Sequence, residues 1–297
     1  MKAMILAAGL GTRLRPLTDT RPKALVELNN RTLLEITLTR LRAFGITEAI
    51  INVHHCAQMV VDYLKSKNNF NMRIEISRED DLLLDTGGGL KKAAWFFQEH
   101  PSHLSTNRVA SSVSDEPFLL HNVDVISTID LTAMLQFHNE NHALATLAVQ
   151  SRDSSRQLLF NDQLQLSGRR IGEEEFVIPS LQPTVISSEA RNLSSPSPAA
   201  HSTHSPLVTR HLPLPPSQTS SSLLPLAFSG IHVISPRLLP QLTETGPFSI
   251  IDSYLRLSSQ GQKILAFRHD NSYWRDLGKP ADLAQAALDL QQNVLRS

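Results

Sequence analysis

Short apolar runs alternate along the chain with longer segments whose apolar residues recur every three or four positions. In residues 32–44, for example, Leu34, Leu38 and Leu41 fall on one helical face, and Gly45 marks the end. Apolar runs predict strands at residues 1–8, 49–53, 72–77, 117–125, 144–149, 226–234 and 264–269. Helical spacing predicts helices at residues 32–44, 58–67, 91–98, 130–140, 248–257 and 280–294. This alternation is typical of an α/β fold with a mainly parallel central sheet, whose ligands bind beyond the carboxyl ends of the strands.

Composition and charge exclude several classes of protein. The 297 residues, 41% of them hydrophobic, suit one large α/β domain or one such domain with an insertion. The formal net charge of zero gives no basic footprint for nucleic acid. The single cysteine, Cys56, excludes an internal disulfide and fits a reducing compartment. No apolar stretch is long enough for a membrane span or a signal-peptide core, so we expect a cytoplasmic protein with no membrane partner, as a monomer or small homo-oligomer.

One segment departs from this composition. Between residues 179 and 223, Ser, Pro and Thr make up about half of the chain, and acidic residues nearly vanish. Such a segment buries too little apolar surface to offset its ordering entropy. The sequence therefore predicts a disordered, low-complexity insertion at residues 179–223 within a domain formed by residues 1–178 and 224–297. A passive insertion, a phosphorylatable linker and a lid over the substrate are all open roles for it.

A loop almost without side chains follows the first strand. Its small residues let a ligand approach the backbone, whose N–H groups can face an anion, and they are Ala7, Ala8, Gly9 and Gly11. Four cations follow within a few positions, namely Arg13, Arg15, Arg21 and Lys23. Arginine makes planar, bidentate contacts with phosphate and lysine supplies a compact charge, so the loop suits a nucleoside triphosphate. The spacing is neither the dinucleotide fingerprint nor the P-loop, because the third glycine of the former and the Gly-Lys-Ser/Thr of the latter are missing.

Residues 6–18, Leu-Ala-Ala-Gly-Leu-Gly-Thr-Arg-Leu-Arg-Pro-Leu-Thr, together with Pro22-Lys23, complete a longer pattern. The run resembles the signature of sugar-1-phosphate nucleotidyltransferases at every position. Residues 84–90, 228–231 and 274–278 resemble further segments of that family, in particular of its compact N-acetylmuramate-1-phosphate uridylyltransferases. The resemblance covers all of the chain except the insertion and implies a Rossmann-like, three-layer nucleotidyltransferase fold.

Two acidic residues, Asp124 and Asp276, stand at the ends of apolar runs. Each has an alternative role as a helix cap, but Asp130 is better placed to cap the helix at 130–140, and the last helix is expected to begin beyond Asp276. The family resemblance implies that Asp124 and Asp276 are ligands of Mg²⁺. Val123 replaces the glycine that commonly precedes the first of these acids, and a β-branched residue disfavours a positive φ there.

The resemblance also implies a role for each matching residue. The implied catalytic residues are Arg13, Lys23, Asp124 and Asp276. The implied nucleotide-binding residues are Leu6, Ala7, Ala8, Gly9, Gly11, Thr12, Arg13, Lys23, Gly87 and Gly88, and the implied sugar-binding residues are Gly89, Asn122 and Gly230. The implied reaction condenses a nucleoside triphosphate with a sugar-1-phosphate, giving a nucleotide-sugar and pyrophosphate.

The nucleobase and the sugar stay open. Ala8, where many relatives have glycine, favours UTP, with N-acetylmuramate-1-phosphate or another hexose-1-phosphate as acceptor for cell-wall synthesis. A mannose- or heptose-1-phosphate guanylyltransferase, a cytidylyltransferase and a non-catalytic nucleotide-sugar-binding protein are the alternatives. Arg152 or Arg156 is expected either to bind the sugar phosphate or to be an ordinary surface residue. His54 and His55 are expected to be loop or helix-start residues, with a metal-binding pair as the alternative.

Overall fold

The computed structural model describes residues 1–98, 115–179 and 222–292. Within these ranges the strands are β1 (Lys2–Leu6), β2 (Glu27–Leu28), β3 (Arg31–Thr32), β4 (Glu48–Val53), β5 (Arg73–Arg78), β6 (Phe118–Asn122), β7 (Val125–Ser127), β8 (Ala145–Gln150), β9 (Arg156–Phe160), β10 (Leu166–Ile171), β11 (Glu174–Val177), β12 (Leu224–Ile234), β13 (Ile264–Arg268) and β14 (Trp274–Asp276). The α-helices are α1 (Leu33–Ala43), α2 (Ala57–Ser66), α3 (Asp85–Lys92), α4 (Ala94–Gln98), α5 (Leu131–Glu140), α6 (Ile250–Ser259) and α7 (Pro280–Gln291).

One large sheet organises the fold. Its main path runs β11-β10-β9-β12-β6-β1-β4-β5, and β8 joins β12 to β13. The strands β6, β1, β4 and β5 are mutually parallel, as the right-handed crossovers of an α/β fold require. β12 runs antiparallel to β6, β8 and β9, so residues on both sides of the gap at 180–221 belong to the same sheet. The predicted insertion itself lies almost wholly outside the described residues.

Helices cover both faces of the sheet and give it three layers. Alternate residues of the central strands point to opposite faces: Ala3 and Ile5 pack into one hydrophobic cluster, and Met4 packs into another. The first cluster also holds buried residues of α1, α2, α5 and α7, and the second holds those of α3, α4 and α6. Strands buried on both faces read as continuous apolar runs, which is why the sequence indicated them. The predicted α/β fold is confirmed.

Two predicted elements differ in their bounds. The helix predicted for residues 91–98 begins earlier, at Asp85, and ends at Lys92 before the separate α4. The three glycines expected to precede this helix lie inside it. A Cβ on Gly88 would lie 2.7 Å from the carbonyl oxygen of Gly246, so the missing side chain lets α3 pack against the segment that leads into α6.

The strand predicted for residues 117–125 is interrupted by a turn at Val123 and Asp124, which separates β6 from β7. β7 leaves the large sheet and pairs with β14 instead. Val123 does not have a positive φ. The valine is therefore compatible with this turn, and Asp124 lies at the turn between the two strands.

Candidate active site

A crevice lies where the parallel strands β1, β4 and β6 end. A cavity of about 330 Å³ is lined there by the Leu6–Gly9 segment, Lys23, Asn52, Glu79 and the Asn122–Asp124 turn. The main chain closes the floor, since the Val123 N–H donates to the Leu6 carbonyl at 3.1 Å. This is the edge of the sheet at which the sequence placed the ligand.

The glycine loop turns tightly at Gly11, which has φ +64°. Its carbonyl accepts hydrogen bonds from the Leu14 N–H and the Thr18 hydroxyl, both at 2.8 Å. A Cβ here would lie 2.9 Å from Thr18 Cγ2, so glycine is required by both conformation and space. The turn carries the chain from the crevice into the segment that holds Arg13 and then Lys23. Of the other loop cations, Arg15 pairs with Asp19 at the surface, at 3.3 Å.

Lys23 and Asp124 meet inside the crevice. The Lys23 ammonium donates to Asp124 Oδ2, although the two residues are far apart in the sequence. Only 11% of the Lys23 side chain and 15% of the Asp124 side chain are exposed. This ion pair is therefore largely shielded from water, which strengthens it relative to a surface pair.

Asp276 is brought beside Asp124 by the short ladder between β14 and β7, in which Asp276 lies opposite Val125. The Leu277 N–H donates to the Asp124 carbonyl at 2.8 Å, and the Gly278 N–H donates to Asp276 Oδ1 at 2.7 Å. Burial raises the pKa of Asp276, and the negative charge of Asp124 raises it further. The Arg13 guanidinium lies 3.9 Å from Asp276 Oδ2. Lys23 and Asp124 thus line the first cavity, while Arg13 and Asp276 line a neighbouring one that shares Asn122 with it, and the two charge pairs lie side by side.

Neither acid caps a helix. Asp130 caps α5, by accepting from the Ala133 N–H at 3.0 Å, and Lys279 precedes α7 without a side-chain cap. Both acids are hard oxygen donors, and their facing charges favour a cation between them. Within the described ranges, no group of three or more His, Cys, Asp or Glu residues is arranged to hold a metal ion, so this pair would need phosphate oxygens or water to complete a coordination shell. With such additional ligands, Asp124 and Asp276 fit a Mg²⁺ site.

A model of the nucleotidyl transferase family matches residues 2–157, which is more than half of the chain. The chain belongs to this family. It is 46% identical over 101 residues to the N-acetylmuramate alpha-1-phosphate uridylyltransferase of Caulobacter vibrioides, covering 33% of this chain and 42% of that protein. It is 37% identical over 136 residues to the enzyme of the same name from Neisseria meningitidis, covering 46% of this chain and 52% of that protein. A probable mannose-1-phosphate guanylyltransferase of Oryza sativa is 31% identical over 154 residues, covering 52% of this chain and 39% of that protein.

The chain thus matches only about half, or less, of the length of these relatives. Solved structures share the fold over nearly the whole chain. HddC from Yersinia pseudotuberculosis, in complex with GMP-PN, has a TM-score of 0.64 and 16% identity, covering 97% of this chain and 99% of that one. A UDP-glucose pyrophosphorylase complexed with UDP-glucose has a TM-score of 0.64 and 16% identity, covering 98% of each chain. In the parts of this nucleotidyl transferase that the structure describes, no helix is both long and apolar enough to cross a membrane.

Two buried polar residues of the crevice were missed as site residues. Asn52 Oδ1 accepts from the Ala7 N–H at 2.7 Å, and Asn52 Nδ2 donates to Glu79 Oε1 at 2.7 Å. Glu79 Oε2 accepts from the Leu84 N–H at 2.9 Å. This network ties the loop after β1 to the segment before α3 and fixes the inner wall of the cavity. In the sequence, the polar Asn52 near the end of the apolar run 49–53 could have indicated a site residue.

Gly87, Gly88 and Gly89 do not line the cavity themselves but pack against the residues that line it or that support α3. A Cβ on Gly89 would lie 2.9 Å from both Asn52 Nδ2 and Glu79 Oε1, so a larger residue would disturb the network. Asp85 and Thr86, the residues just before them, line the cavity instead.

A second cavity of about 570 Å³ is lined by Arg13, Asn122, Arg156, Gly230 and Asp276, among others. Gly230 has φ +73°, and a Cβ on it would lie 2.8 Å from Asn122 Nδ2. The predicted sugar residues Asn122 and Gly230 are therefore in contact, and Arg13 opens towards this side rather than into the first cavity.

Arg152 and Arg156 both line this second cavity but differ in their surroundings. The Arg152 guanidinium lies 3.6 Å from the centre of the Trp274 ring and donates to the Phe228 carbonyl at 2.7 Å. Burial lowers the pKa of Arg152 to about 10. Arg156 is exposed to the cavity. Arg152 is thus held by the protein, whereas Arg156 is the more accessible of the two to a substrate.

Proposed function

We propose that this protein transfers a nucleotidyl group from a nucleoside triphosphate to a sugar-1-phosphate. The convergence of Arg13, Lys23, Asp124 and Asp276 in one crevice, beside a small-residue loop, carries this proposal. A phosphate oxygen of the sugar-1-phosphate attacks the α-phosphorus, a new P–O bond forms, and the bond to the β-phosphate breaks with release of pyrophosphate. The nucleophile is already an anion, so no general base is required.

The residues of the crevice would act through charge and position. Arg13 lines the second cavity, which shares Asn122 with the first, and from there it would neutralise the β- and γ-phosphates as pyrophosphate leaves. Lys23 would contact the α-phosphate or the incoming sugar phosphate. Asp124 and Asp276 would hold Mg²⁺, which when bound supplies charge neutralisation between the two substrates. Asn122 and Gly230 would face the sugar, on the side of the second cavity.

UTP and N-acetylmuramate-1-phosphate, or another hexose-1-phosphate, are the proposed substrates. The support is the similarity to two N-acetylmuramate alpha-1-phosphate uridylyltransferases. A guanylyl transfer to mannose-1-phosphate is the second candidate, favoured by the similarity to mannose-1-phosphate guanylyltransferases.

Release of pyrophosphate from a matrix of substrates tests the proposal. Each of UTP, GTP, CTP and dTTP is combined with N-acetylmuramate-, N-acetylglucosamine-, glucose- and mannose-1-phosphate in the presence of Mg²⁺. We expect the highest kcat/KM for UTP with N-acetylmuramate-1-phosphate. Preference for GTP with mannose-1-phosphate would support the second candidate. Nucleotide-sugar binding without pyrophosphate release from any pair would contradict a catalytic role.

A further inference from the structure

The ion pair between Lys23 and Asp124 joins two groups that the proposed reaction assigns to different partners. In the proposed reaction, Lys23 contacts a phosphate and Asp124 binds a divalent cation. In this structure the two side chains instead form an ion pair with each other. Both side chains line the cavity that faces the Leu6–Gly9 segment, so the pair lies where the triphosphate would enter.

Burial makes this pair costly to separate. With 11% and 15% of the two side chains exposed, water cannot replace a lost partner fully. Removing one partner of a buried ion pair leaves an uncompensated charge and is strongly unfavourable. A divalent cation alone would satisfy Asp124 but leave the Lys23 ammonium unpaired. A triphosphate alone would satisfy Lys23 but set more negative charge beside Asp124 and Asp276.

We infer that Lys23 holds the place of the metal ion on Asp124 until the triphosphate arrives, so that cation and triphosphate bind as a coupled pair. The triphosphate accepts the Lys23 ammonium, and Asp124 is then free to accept the cation. Because coupling between two ligands is reciprocal, each raises the affinity of the other by the same factor. The inference rests on the proposed function only for the chemical class of the two ligands.

The second pair at the site does not impose the same coupling. Arg13 lies 3.9 Å from Asp276, and 57% and 41% of their side chains are exposed, so water can compensate either charge. Asp276 can therefore exchange Arg13 for a metal ion at little cost. The coupling is assigned to Lys23 alone, and this makes it testable with a single substitution.

Binding of Mn²⁺, followed by its electron paramagnetic resonance signal without any nucleotide, tests the inference directly. Lys23→Met keeps the length of the side chain and removes the charge. We expect Lys23→Met to bind one Mn²⁺ at least about tenfold more tightly than the wild type, within the range typical of coupled sites. Mg²⁺ alone should also raise the Tm of Lys23→Met while leaving that of the wild type nearly unchanged.

Two control variants separate this effect from a general change in charge. Lys279 is exposed and lines the cavity of Asp276, so Lys279→Met removes one positive charge from the same neighbourhood. It should raise Mn²⁺ affinity no more than about twofold, as a screened surface charge does. Adding Asp124→Asn to Lys23→Met should abolish the gain, because the released carboxylate is the proposed ligand.

Equal Mn²⁺ affinity for the wild type and Lys23→Met, or a gain that persists after Asp124→Asn, would overturn the inference. These measurements need no turnover, so they are independent of the proposed reaction. If the wild type releases pyrophosphate but Lys23→Met gains no affinity, the function stands and the inference fails. If Lys23→Met gains affinity but no substrate pair reacts, the inference stands and the function fails.

Discussion

At the scale of single residues, the crevice is a balance of two carboxylates against two cations. Asp124 and Asp276 share it with Lys23 and Arg13, and the charge of Asp124 contributes to the raised pKa of Asp276. Each carboxylate has a hydrogen-bond partner: Asp276 accepts from the Gly278 N–H, and Asp124 accepts from the Lys23 ammonium. The two carboxylates are therefore held in place before any ligand binds.

Replacing either acid by its amide, in Asp124→Asn or Asp276→Asn, should lower kcat by two or more powers of ten. The amide is a poorer ligand, and losing a metal-ligand charge commonly costs several kcal/mol of transition-state stabilisation. Asp282→Asn is the matched control, because Asp282 lies near the same segment and pairs with Arg275 at 3.9 Å. Pyrophosphate release at saturating Mg²⁺ measures the effect, and circular dichroism checks the fold. Near-normal turnover in either variant would remove that residue from the metal site.

At the scale of elements, the packing of α3 against α6 shapes the crevice from outside. The Gly87 N–H donates to the Phe248 carbonyl at 2.9 Å, and the Thr86 hydroxyl accepts from the N–H of Ile250, the first residue of α6, at 3.0 Å. Small residues in α3 make this close approach possible. The element that carries Asp85 and Thr86 into the cavity is thus positioned by contacts on its far side.

Gly88→Ala should lower the free energy of unfolding by about 1–3 kcal/mol, the usual cost of overpacking. An alanine in a helix normally gains up to about 1 kcal/mol over glycine, but this one would meet the Gly246 carbonyl oxygen at 2.7 Å. Gly9→Ala is the control for stability, since its Cβ would meet no atom within 4 Å. Urea unfolding of the three proteins decides the matter. A Gly88→Ala protein as stable as the wild type would mean that α3 can move away from this contact.

At the scale of the whole molecule, four buried histidines are held neutral. His232 bonds to the Tyr254 hydroxyl at 2.9 Å, and His138 lies between the hydroxyls of Thr146 and Ser235. Burial lowers the pKa of His121, His138 and His269 to about 4 and that of His232 to about 3. The unfolded chain takes up these protons at about pH 6.5, and the folded chain takes them up only near pH 4 or below.

Stability should therefore be complete above pH 6.5 and fall as the pH drops towards 4, because the unfolded state then binds more protons. Between pH 7.5 and pH 5, we expect a loss of up to roughly 2 kcal/mol for each of the fully buried His121 and His232. Carboxyls with lowered pKa, such as Glu35 and Glu244, add to the loss only below their ordinary value of 4.5. Urea unfolding at the two pH values measures the change, and His138→Gln should make it smaller. Equal stability at both values would show that the histidines are not held neutral.

The residues on either side of the predicted insertion lie in one line across four neighbouring strands, so the distance between them is set by the sheet. Val177 lies opposite Gly168, Gly168 opposite Leu159, and Leu159 opposite Pro225. Three strand spacings separate Val177 from Pro225, a distance of about 14 Å. A connection between them must cross β10 and β9, so a tight two-residue hairpin of the kind that joins adjacent strands does not suffice.

Replacing residues 180–221 by about eight Gly and Ser residues should leave kcat and both KM values within about twofold of the wild type. Such a linker easily spans about 14 Å, and the shorter loop should raise the free energy of unfolding by about 1 kcal/mol. Steady-state kinetics and urea unfolding are the measurements. A large rise in the KM of the sugar-1-phosphate would instead make the segment a lid over the acceptor.

The sequence by itself determined the alternation of strands and helices, because strands buried on both faces must be continuous apolar runs. It also determined the glycine loop with Arg13 and Lys23, because close approach to a ligand and the binding of phosphate restrict the residue types locally. Tertiary structure decided which charges meet: Asp276 reaches Asp124 only through the β14–β7 ladder, a non-local pairing that no spacing encodes. Tertiary structure likewise decided that Lys23 pairs with Asp124, which is distant in the sequence. It also decided that the three glycines lie inside α3, because they pack against residues of other segments, such as Gly246 and Asn52.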